Sequence, residues 1–225
     1  MQSIVHTKKH KKGQETRDKI LEEAVDLFCQ YGFTKASTRQ LVSRVGMTSS
    51  AIYNHFDNKE KILFTIIQRA GEKVLATLNG AIEEYDDPEE CLKQMIIRML
   101  SLFKDSEMRK EIAIFLEQVY QLPGDLRNIC SKQHREIFDL FRDKIREIKK
   151  EMRMNPINET VAAFAIVGAM NWVYQWFKDN GALSIEDIGN ELTLLLFEGL
   201  VSADTSPDHK GRGKQLKQSM KRMVK

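Results

Sequence analysis

The run from Thr48 to Phe56 carries side chains of types that recognise nucleic acid. On a helical wheel of about 100° per residue, Ile52 and Phe56 fall on one side while Ser50 and Asn54 fall on the other. Ser and Asn side chains offer compact donors and acceptors for base edges, whereas Tyr and His side chains can reach phosphate oxygens. The polar side of this helix holds Ser50, Ala51, Asn54 and His55, bordered by Ser49 and Tyr53. The pattern predicts a recognition helix, and the solvated face of a small helical hairpin is the alternative.

Residues for covalent or metal chemistry are not grouped in this sequence. The five histidines are scattered, at His6, His10, His55, His134 and His209. The motifs HExxH and GxSxG and a glycine-rich phosphate loop are all missing, so we expect neither an enzyme nor a cofactor or metal site. The three cysteines, Cys29, Cys91 and Cys130, have no CxxC spacing. An odd number of cysteines without this spacing is typical of reduced thiols, and we expect a cytoplasmic protein.

The charge of the chain is divided unevenly along its length. Residues 1–70 hold 12 Lys/Arg and 7 Asp/Glu, residues 71–201 hold 16 and 23, and residues 202–225 hold 7 and 2. Two basic ends therefore flank an acidic middle, although the net charge is only +3. This asymmetry is typical of an end segment that meets a polyanion, although basic ends can also be merely solubilising. No apolar run approaches the roughly 18 residues of a membrane span, so no membrane partner is expected.

Apolar residues recur at helical spacing through most of the chain, which predicts an all-α fold. Helix 1 is predicted over 15–31, with Ile20, Leu21, Ala24, Val25 and Phe28 buried and Gly32 as its stop. Ser37 and Gln40 have the spacing of a capping box for helix 2, at 38–45. Thr48 caps helix 3, at 49–56, and Asn58 caps helix 4 from Lys59.

Five further helices follow, each with its own start or stop signal. Helix 5 begins at Asp87-Pro88 and ends near Lys104, and helix 6 extends from Ser106 to Leu122. Helix 7 covers about 125–153, helix 8 follows Asn155-Pro156 and ends at Asn180-Gly181, and helix 9 begins at Ser184 and ends near Val201. We divide the chain into a basic extension (1–14), a helix-turn-helix domain (15–58), a ligand-binding and dimerisation domain (59–203) and a basic tail (204–225).

The stretch from Thr16 to Leu63 resembles the DNA-binding domain of the tetracycline-repressor (TetR) family of bacterial transcriptional regulators. The signatures are Tyr31-Gly32-Phe33, Val45-Gly46-Met47-Thr48, Ile52-Tyr53-Asn54-His55-Phe56 and Asn58-Lys59-Glu60. The stretch 158–200 resembles the last two helices of the family. The resemblance implies a regulator that binds double-stranded operator DNA as a homodimer and responds to a small molecule. It leaves open repression or activation, and one dimer or two on each operator.

The resemblance also assigns roles to individual residues of the predicted helix-turn-helix. It implies that Thr38 and Arg39 touch a phosphate or a base edge, and that Thr48, Ser49, Ser50 and Asn54 face the groove. It implies that Tyr53, His55 and Lys59 hold phosphates, with helix packing as an alternative role for His55. The basic run Lys8–Lys12 could lie along the DNA backbone or in a minor groove, or it could be disordered.

Helix 8 is apolar nearly all round, so it must be buried on more than one side. Its small residues allow a second helix to approach closely, and helix 9 adds a row of leucines. As in the family, we expect helices 8 and 9 of two subunits to form the dimer interface, whereas a single well-filled core is the alternative. The expected interface residues are Ala162, Ala165, Gly168, Ala169, Leu192, Leu195, Leu196 and Leu200.

The inward side of the same helices is expected to bind a hydrophobic effector, although stripes of this kind are more often core than pocket. The expected apolar lining is Met95, Met99, Phe103, Phe115, Val119, Tyr120, Trp172 and Trp176. The expected polar residues are Arg98, Gln118 and Asn171. An elongated apolar lining favours a fatty acid or acyl-CoA, followed by multiple hydrophobic drugs, for which Glu117 could receive a cation. A helical protein-interaction module is a further alternative.

Overall fold

The structure is a computed structural model that describes residues 2–151 and 157–200, with side chains for 13–151 and 157–198. The described chain forms nine α-helices and no strand, which confirms the all-α prediction. They are α1 (Gln2–Lys35), α2 (Thr38–Val45), α3 (Ser49–Tyr53), α4 (Lys59–Glu84), α5 (Pro88–Ser101), α6 (Ser106–Glu117), α7 (Gly124–Lys150), α8 (Glu159–Trp176) and α9 (Ile185–Leu200). The predicted restart at Asn155-Pro156 and the basic tail at 204–225 lie outside the described residues.

The first three helices form a small head, in which the buried residues and the helix caps are those that the sequence predicts. The five residues predicted for the buried stripe of helix 1 are all at most 3% exposed. The Ser37 hydroxyl accepts from the backbone N–H of Gln40, and the Gln40 amide oxygen accepts from the N–H of Ser37, which makes the predicted capping box. Gly46 then ends α2 with φ of 71°, a left-handed conformation that glycine adopts without steric cost. Ile52 of α3 packs into the same buried core as Leu41 of α2.

Two boundaries of the head differ from the prediction. The α1 segment begins at Gln2 rather than near residue 15, so the part of the basic extension from Gln2 onward is helical. At the other end Gly32, with φ of 72° and ψ of 155°, interrupts the helix where the sequence predicts its stop. Helix α3 ends at Tyr53 instead of residue 56, because the chain turns there to bury Phe56 and to start α4 with Asn58 as its cap.

The remaining helices form a body around α4, which passes from the head into the body. Along α4 the apolar residues from Ile62 to Ala81 face inward, and α4 packs against α5, α6 and α7. Helix α7 packs in turn against α8, and α5 packs against α9. Because α4 belongs to both parts of the molecule, it is one mechanical connection between body and head.

Several helices of the body end earlier than predicted. Helices α5 and α6 finish in short 3-10 turns at Leu102–Lys104 and Val119–Gln121. Helix α8 stops at Trp176 rather than at Asn180-Gly181. The reason is tertiary: Arg109 of α6 binds Asp179 at 2.7 and 2.9 Å and lies 5.2 Å from the Phe177 ring, which fixes this segment as a loop. No helix in the described ranges has the length and apolar character needed to cross a bilayer.

Candidate functional site

The polar side of α3 is open to solvent, as a recognition surface requires. Thr48, Ser49, Ser50, Tyr53 and Asn54 are all exposed, Tyr53 by 46%, while Ile52 is buried against the head. The Thr48 hydroxyl accepts from the backbone N–H of Ala51 and lies 3.1 Å from the Ser50 hydroxyl. This cap fixes the start of the helix and leaves the side chains that follow it free to meet a ligand. Arg39 is exposed at the start of α2 and Thr38 is half-buried.

Two residues expected to hold phosphates, Lys59 and His55, make contacts inside the head. The Lys59 ammonium donates to the carbonyl oxygens of Phe33 and Ala36, each at 2.8 Å, and lies 4.2 Å from the Phe33 ring centroid. His55 follows the end of α3, is half-buried, and its carbonyl accepts from Arg17 at 2.8 Å. Lys59 therefore caps the carbonyl groups at the end of α1. Two of its three ammonium N–H groups are used there, which leaves one for a phosphate.

A small, partly open cavity lies between α4, α5, α6, α7 and α8. Its volume is about 60 Å³. The walls are apolar apart from two residues, His134 and Asn171. The lining consists of Val74, Met99, Phe115, Leu116, His134, Ile137, Phe138, Phe141, Val167, Met170 and Asn171. An apolar cavity with a few polar groups is the usual form of a small-molecule site.

Only three residues of the predicted pocket line this cavity: Met99, Phe115 and Asn171. Met95, Phe103 and Val119 are buried outside its lining. Tyr120, Trp172 and Trp176 are 74%, 66% and 46% exposed, which corrects their assignment to the pocket. The tryptophans were misplaced because α8 is apolar on several faces, so that its periodicity does not identify the inward one. Tyr120 lies on the 3-10 turn after α6 instead of on a continued helix.

The two other polar candidates also point elsewhere. Arg98 pairs with Glu84 at 2.5 Å and its guanidinium lies 5.3 Å from the Tyr85 ring, so it joins α5 to the end of α4. The Gln118 amide donates to the carbonyl oxygen of Phe28 at 3.3 Å and so joins the end of α6 to α1. Neither residue is part of the cavity lining.

The sequence analysis missed the contribution of α7 to the cavity. His134, Ile137, Phe138 and Phe141 occupy one face of that helix at i, i+3, i+4 and i+7. This amphipathic spacing was a usable signal, although it does not separate core residues from cavity residues. The His134 ring stacks on Phe115 at 3.8 Å, and its two nitrogens lie 2.9 Å and 3.0 Å from the carbonyl oxygens of Cys130 and Phe115. Both ring nitrogens of His134 thus lie within hydrogen-bond distance of a backbone carbonyl oxygen.

Helix α6 connects the cavity wall to the head. Phe115 and Leu116 line the cavity, whereas Gln118, just after them, contacts α1. The Gln118 contact with Phe28 described above lies one turn from them, and Lys110 pairs with Asp26 of α1 at 2.7 Å. These polar contacts therefore couple the position of α6 directly to α1, independently of α4.

A polar cluster joins α6 to α8 beside the cavity. The Tyr174 hydroxyl donates to Glu117 at 2.5 Å, and the Gln175 amide donates to the same carboxylate oxygen at 2.8 Å. Burial and this hydrogen bond to Glu117 raise the pKa of Tyr174 to about 12. The Glu117 carboxylate therefore accepts hydrogen bonds from its own chain and is not a free carboxylate for a cationic drug.

The outer face of α8 and α9 is apolar and exposed. Val161, Phe164, Trp172 and Trp176 are between 46% and 66% exposed, and Leu195 is 70% exposed. Among the residues expected at a dimer interface, Ala165 and Gly168 lie on this face, whereas Ala169, Leu192 and Leu196 are half-buried. Ala162 is 1% exposed and packs into the chain's own core, which corrects its assignment. The side chain of Leu200 lies outside the described residues.

The three cysteine thiols are shielded from solvent to different degrees, and this affects their protonation. Burial raises the pKa of all three cysteine thiols, that of Cys29 to about 11, so they are protonated near neutral pH. Among the described side chains, no group of His, Cys, Asp and Glu has the arrangement of a metal site.

Comparison with known proteins gives relatives for both parts of the chain. Residues 20–66 match the family model described as bacterial regulatory proteins, tetR family, and residues 85–200 match the tetracyclin repressor-like C-terminal domain. The transcriptional repressor BepR of Brucella suis is 25% identical over 194 residues, which cover 83% of this chain and 92% of BepR.

Two solved structures are similar across the whole fold. AibR, crystallised with isovaleryl coenzyme A and operator DNA, has a TM-score of 0.76 and 25% identity, covering 82% of this chain and 99% of that one. The regulator PfmR of Thermus thermophilus has a TM-score of 0.73 and 25% identity, covering 81% and 99%. The two family matches together span most of the described chain, and the chain belongs to the tetR family of bacterial regulatory proteins.

Proposed function

We propose that this regulator is a homodimeric transcriptional repressor that binds a near-palindromic operator and leaves it when a hydrophobic small molecule binds in the body. The observation that carries the proposal is the exposed polar face of α3, which belongs to a head connected to a body with a mostly apolar cavity. BepR is named a repressor, and AibR was crystallised with an acyl-CoA and operator DNA, which supports the proposal.

The exposed face of α8 and α9 supports the homodimer. Monomeric proteins seldom expose a contiguous apolar patch of this kind, with several aromatic and leucine side chains. An added Cβ at Gly168 would meet no atom of the same chain within 4 Å, so a partner helix can approach closely there. Two heads related by a twofold axis would place their α3 helices about 34–36 Å apart, one turn of DNA.

Effector binding would act on the head through α4 and α6. Val74 of α4 and Phe115 of α6 both line the cavity, and both helices contact α1. A ligand releases DNA only if it binds the DNA-free conformation more tightly than the DNA-bound one, and DNA must then weaken ligand binding by the same factor. The effector classes that we propose are fatty acids or acyl-CoAs first and multiple hydrophobic drugs second.

DNA binding is tested by fluorescence anisotropy with the DNA upstream of the protein's own gene. We expect Tyr53→Ala to weaken binding about tenfold or more, since a phosphate or base contact on α3 is lost. Tyr31→Ala is the matched control, because Tyr31 is an exposed tyrosine of the same head that belongs to α1 rather than α3, and it should change the affinity less than about twofold. The affinity should also fall steeply with salt. Equal affinities for both variants and the unmodified protein would contradict the proposed interface.

A further inference from the structure

Helix α1 continues toward its N-terminus well beyond the residues that pack in the head. Its backbone is helical without a break from Gln2 to Tyr31, whereas the first buried residue among its described side chains is Ile20. At about 1.5 Å per residue, the helical part of the basic extension is about 20 Å long, which equals about six base pairs of B-DNA. This length exceeds what the core of the head requires.

The basic extension carries charge of one sign only. It contains Lys8, Lys9, Lys11 and Lys12, and no Asp or Glu precedes Glu15. On a helix of about 100° per residue, the four lysine positions fall within about 160° of the circumference, so they share one face. Positions three and four apart are neighbours on a helix, and like charges at such positions repel. A polyanion that neutralises this face would therefore stabilise the extension as a helix.

The contacts of α1 place the start of the basic extension beside α3. The Arg17 guanidinium donates to the carbonyl oxygen of His55 at 2.8 Å, and His55 follows the end of α3. The Lys19 ammonium donates to the carbonyl oxygen of Val45 at 3.0 Å, and Val45 is the last residue of α2 before the turn into α3. The chain on both sides of α3 is thus bonded to one turn of α1, and the extension lies directly N-terminal to that turn.

The lysine face of the extension continues the side of α1 that carries Lys19. On the helical wheel, Lys19 lies within about 20° of both Lys8 and Lys12. Because Lys19 bonds to the end of α2, this side of α1 meets the helix-turn-helix. The four lysine positions therefore lie on the same side of α1 as the turn into α3, whose polar face is exposed.

We propose that the basic extension is a second DNA-binding element, which as a helix holds Lys8, Lys9, Lys11 and Lys12 against phosphate groups of the duplex beside the groove that α3 enters. Lysine binds a phosphate as a point charge and releases counterions, which raises affinity without reading the bases. This inference rests on the proposed DNA-binding function and adds a sequence-independent contact to it.

The test uses fluorescence anisotropy with the full-length protein and the DNA upstream of its own gene. Lys8→Gln with Lys12→Gln is compared with the control pair Lys73→Gln with Lys132→Gln, which removes the same charge from exposed positions of α4 and α7. The first pair removes four charges from the proposed dimer, so the slope of log K against log salt should become less negative by about 3–4. The control pair should leave the slope unchanged.

The same lysine variant should bind unrelated DNA more weakly by the same factor. Phosphate contacts carry no sequence information, so the ratio of the affinities for upstream and unrelated DNA should stay constant. In about 0.1 M salt we expect both affinities to fall at least about tenfold. A loss confined to the upstream DNA would indicate contacts with bases and would overturn the inference.

A pair of uncharged substitutions tests the helical form of the extension. Gly13→Pro interrupts the helix between the lysines and the head, so it should weaken DNA binding about fivefold or more although no charge is removed. Gly13→Ala favours the helix, and an added Cβ there would meet no atom within 4 Å, so this variant should bind DNA at least as tightly as the unmodified protein.

An unchanged salt slope in the lysine variant would overturn the inference, and equal affinities of Gly13→Pro and Gly13→Ala would overturn its helical arrangement. In both cases the proposed repressor function stands if Tyr53→Ala still weakens binding to the upstream DNA. If neither Tyr53→Ala nor the lysine variant changes the affinity, the proposed DNA-binding function itself fails.

Discussion

Three basic side chains of the head donate hydrogen bonds to backbone carbonyl oxygens near helix termini. Arg17 donates to His55, Lys19 donates to Val45 at 3.0 Å, and Lys59 donates to Phe33 and Ala36. Carbonyls at the C-terminal end of a helix lack intrahelical partners and carry partial negative charge, so cations stabilise them. These side chains join residues 23 to 38 positions apart. Sequence patterns do not show such partners, so the sequence analysis assigned Lys59 to a phosphate from the family resemblance alone.

We expect Lys59→Met to destabilise the head in addition to any effect on DNA. The variant loses charge-assisted hydrogen bonds to two carbonyl oxygens, which should lower the free energy of unfolding by about 2 kcal/mol. Tyr53→Ala serves as the control, because Tyr53 is exposed and should leave the free energy of unfolding within about 0.5 kcal/mol of the unmodified protein. Urea unfolding followed by circular dichroism measures both. Equal stability of all three proteins would mean that the Lys59 contacts contribute nothing.

Tyr174 gives a pH-dependent prediction at the contact between α6 and α8. Its pKa is raised to about 12, chiefly by burial and then by the hydrogen bond to Glu117. The folded state therefore holds this proton more tightly than the unfolded state, in which the pKa is about 10. The resulting stability is complete below pH 10 and is lost as the pH rises from about 10 to 12. Tyr174→Phe should remove this part of the alkaline loss.

Denaturant midpoints at pH 8.5 and pH 11 measure this effect in both proteins. Other tyrosines and the lysines also titrate in this range, so only the difference between the two proteins is informative. Tyr120→Phe is the control, because Tyr120 is 74% exposed. An alkaline loss as large in Tyr174→Phe as in the unmodified protein would contradict the assignment.

At the scale of helices, starts that carry a capping residue were predictable, whereas the start of α1 and several helix ends were not. The caps Ser37, Asn58 and Asp87 lie within three residues of the N–H groups that they accept, so a local pattern identifies them. The ends of α5, α6 and α8 depend on contacts with distant residues, such as Arg109 with Asp179. Local propensity has no information about such contacts, and the predicted ends of these helices were too late.

Two glycines of α4 allow a paired test of how closely this helix packs. A Cβ at Gly71 would lie 2.2 Å from Oε1 of Gln133 on α7, whereas a Cβ at Gly80 would lie 4.0 Å from its nearest neighbour, Arg98. Gln133 is 8% exposed and accepts from the Gln68 amide at 3.2 Å, so a displacement of its side chain breaks this partly buried hydrogen bond.

We expect opposite signs for the two alanine substitutions. Gly80→Ala should stabilise the protein by about 0.5–1 kcal/mol, the usual gain for alanine over glycine inside a helix. Gly71→Ala gains the same propensity but displaces Gln133 from its contacts between α4 and α7, and we expect a net loss of about 1 kcal/mol. Thermal unfolding of both variants measures the difference. Stabilisation by Gly71→Ala would show that the two helices separate readily.

At the scale of the whole molecule, the apolar content of α8 serves two surfaces. Ala163, Ile166, Met170 and Val173 are buried in the chain's own body, while Trp172 and other large side chains of the same helix are exposed. The sequence predicted that α8 is buried on more than one side but did not show which residues belong to which side. Because a helix that is apolar all round has no periodic signal, only the helices packed against α8, chiefly α7, separate the two faces.

The proposed homodimer places the outer face of α8 and α9 against a second copy, and one pair of substitutions tests this. Leu195 on α9 and Ile129 on α7 are exposed by 70% and 46%. Leu195→Lys should bury an unpaired ammonium at the interface and shift the protein to monomer, while Ile129→Lys should leave the dimer intact. Sedimentation velocity at micromolar concentration measures the state of each variant.

Loss of the dimer should also weaken operator binding, since one head makes only half of the contacts with a near-palindromic site. For Leu195→Lys we therefore expect weaker DNA binding without a change in the helix content of the monomer, and for Ile129→Lys no change in either property. If Leu195→Lys remains a dimer, this face is not the subunit interface. If it becomes a monomer but binds the operator with unchanged affinity, the two heads act independently and dimerisation has no part in recognition.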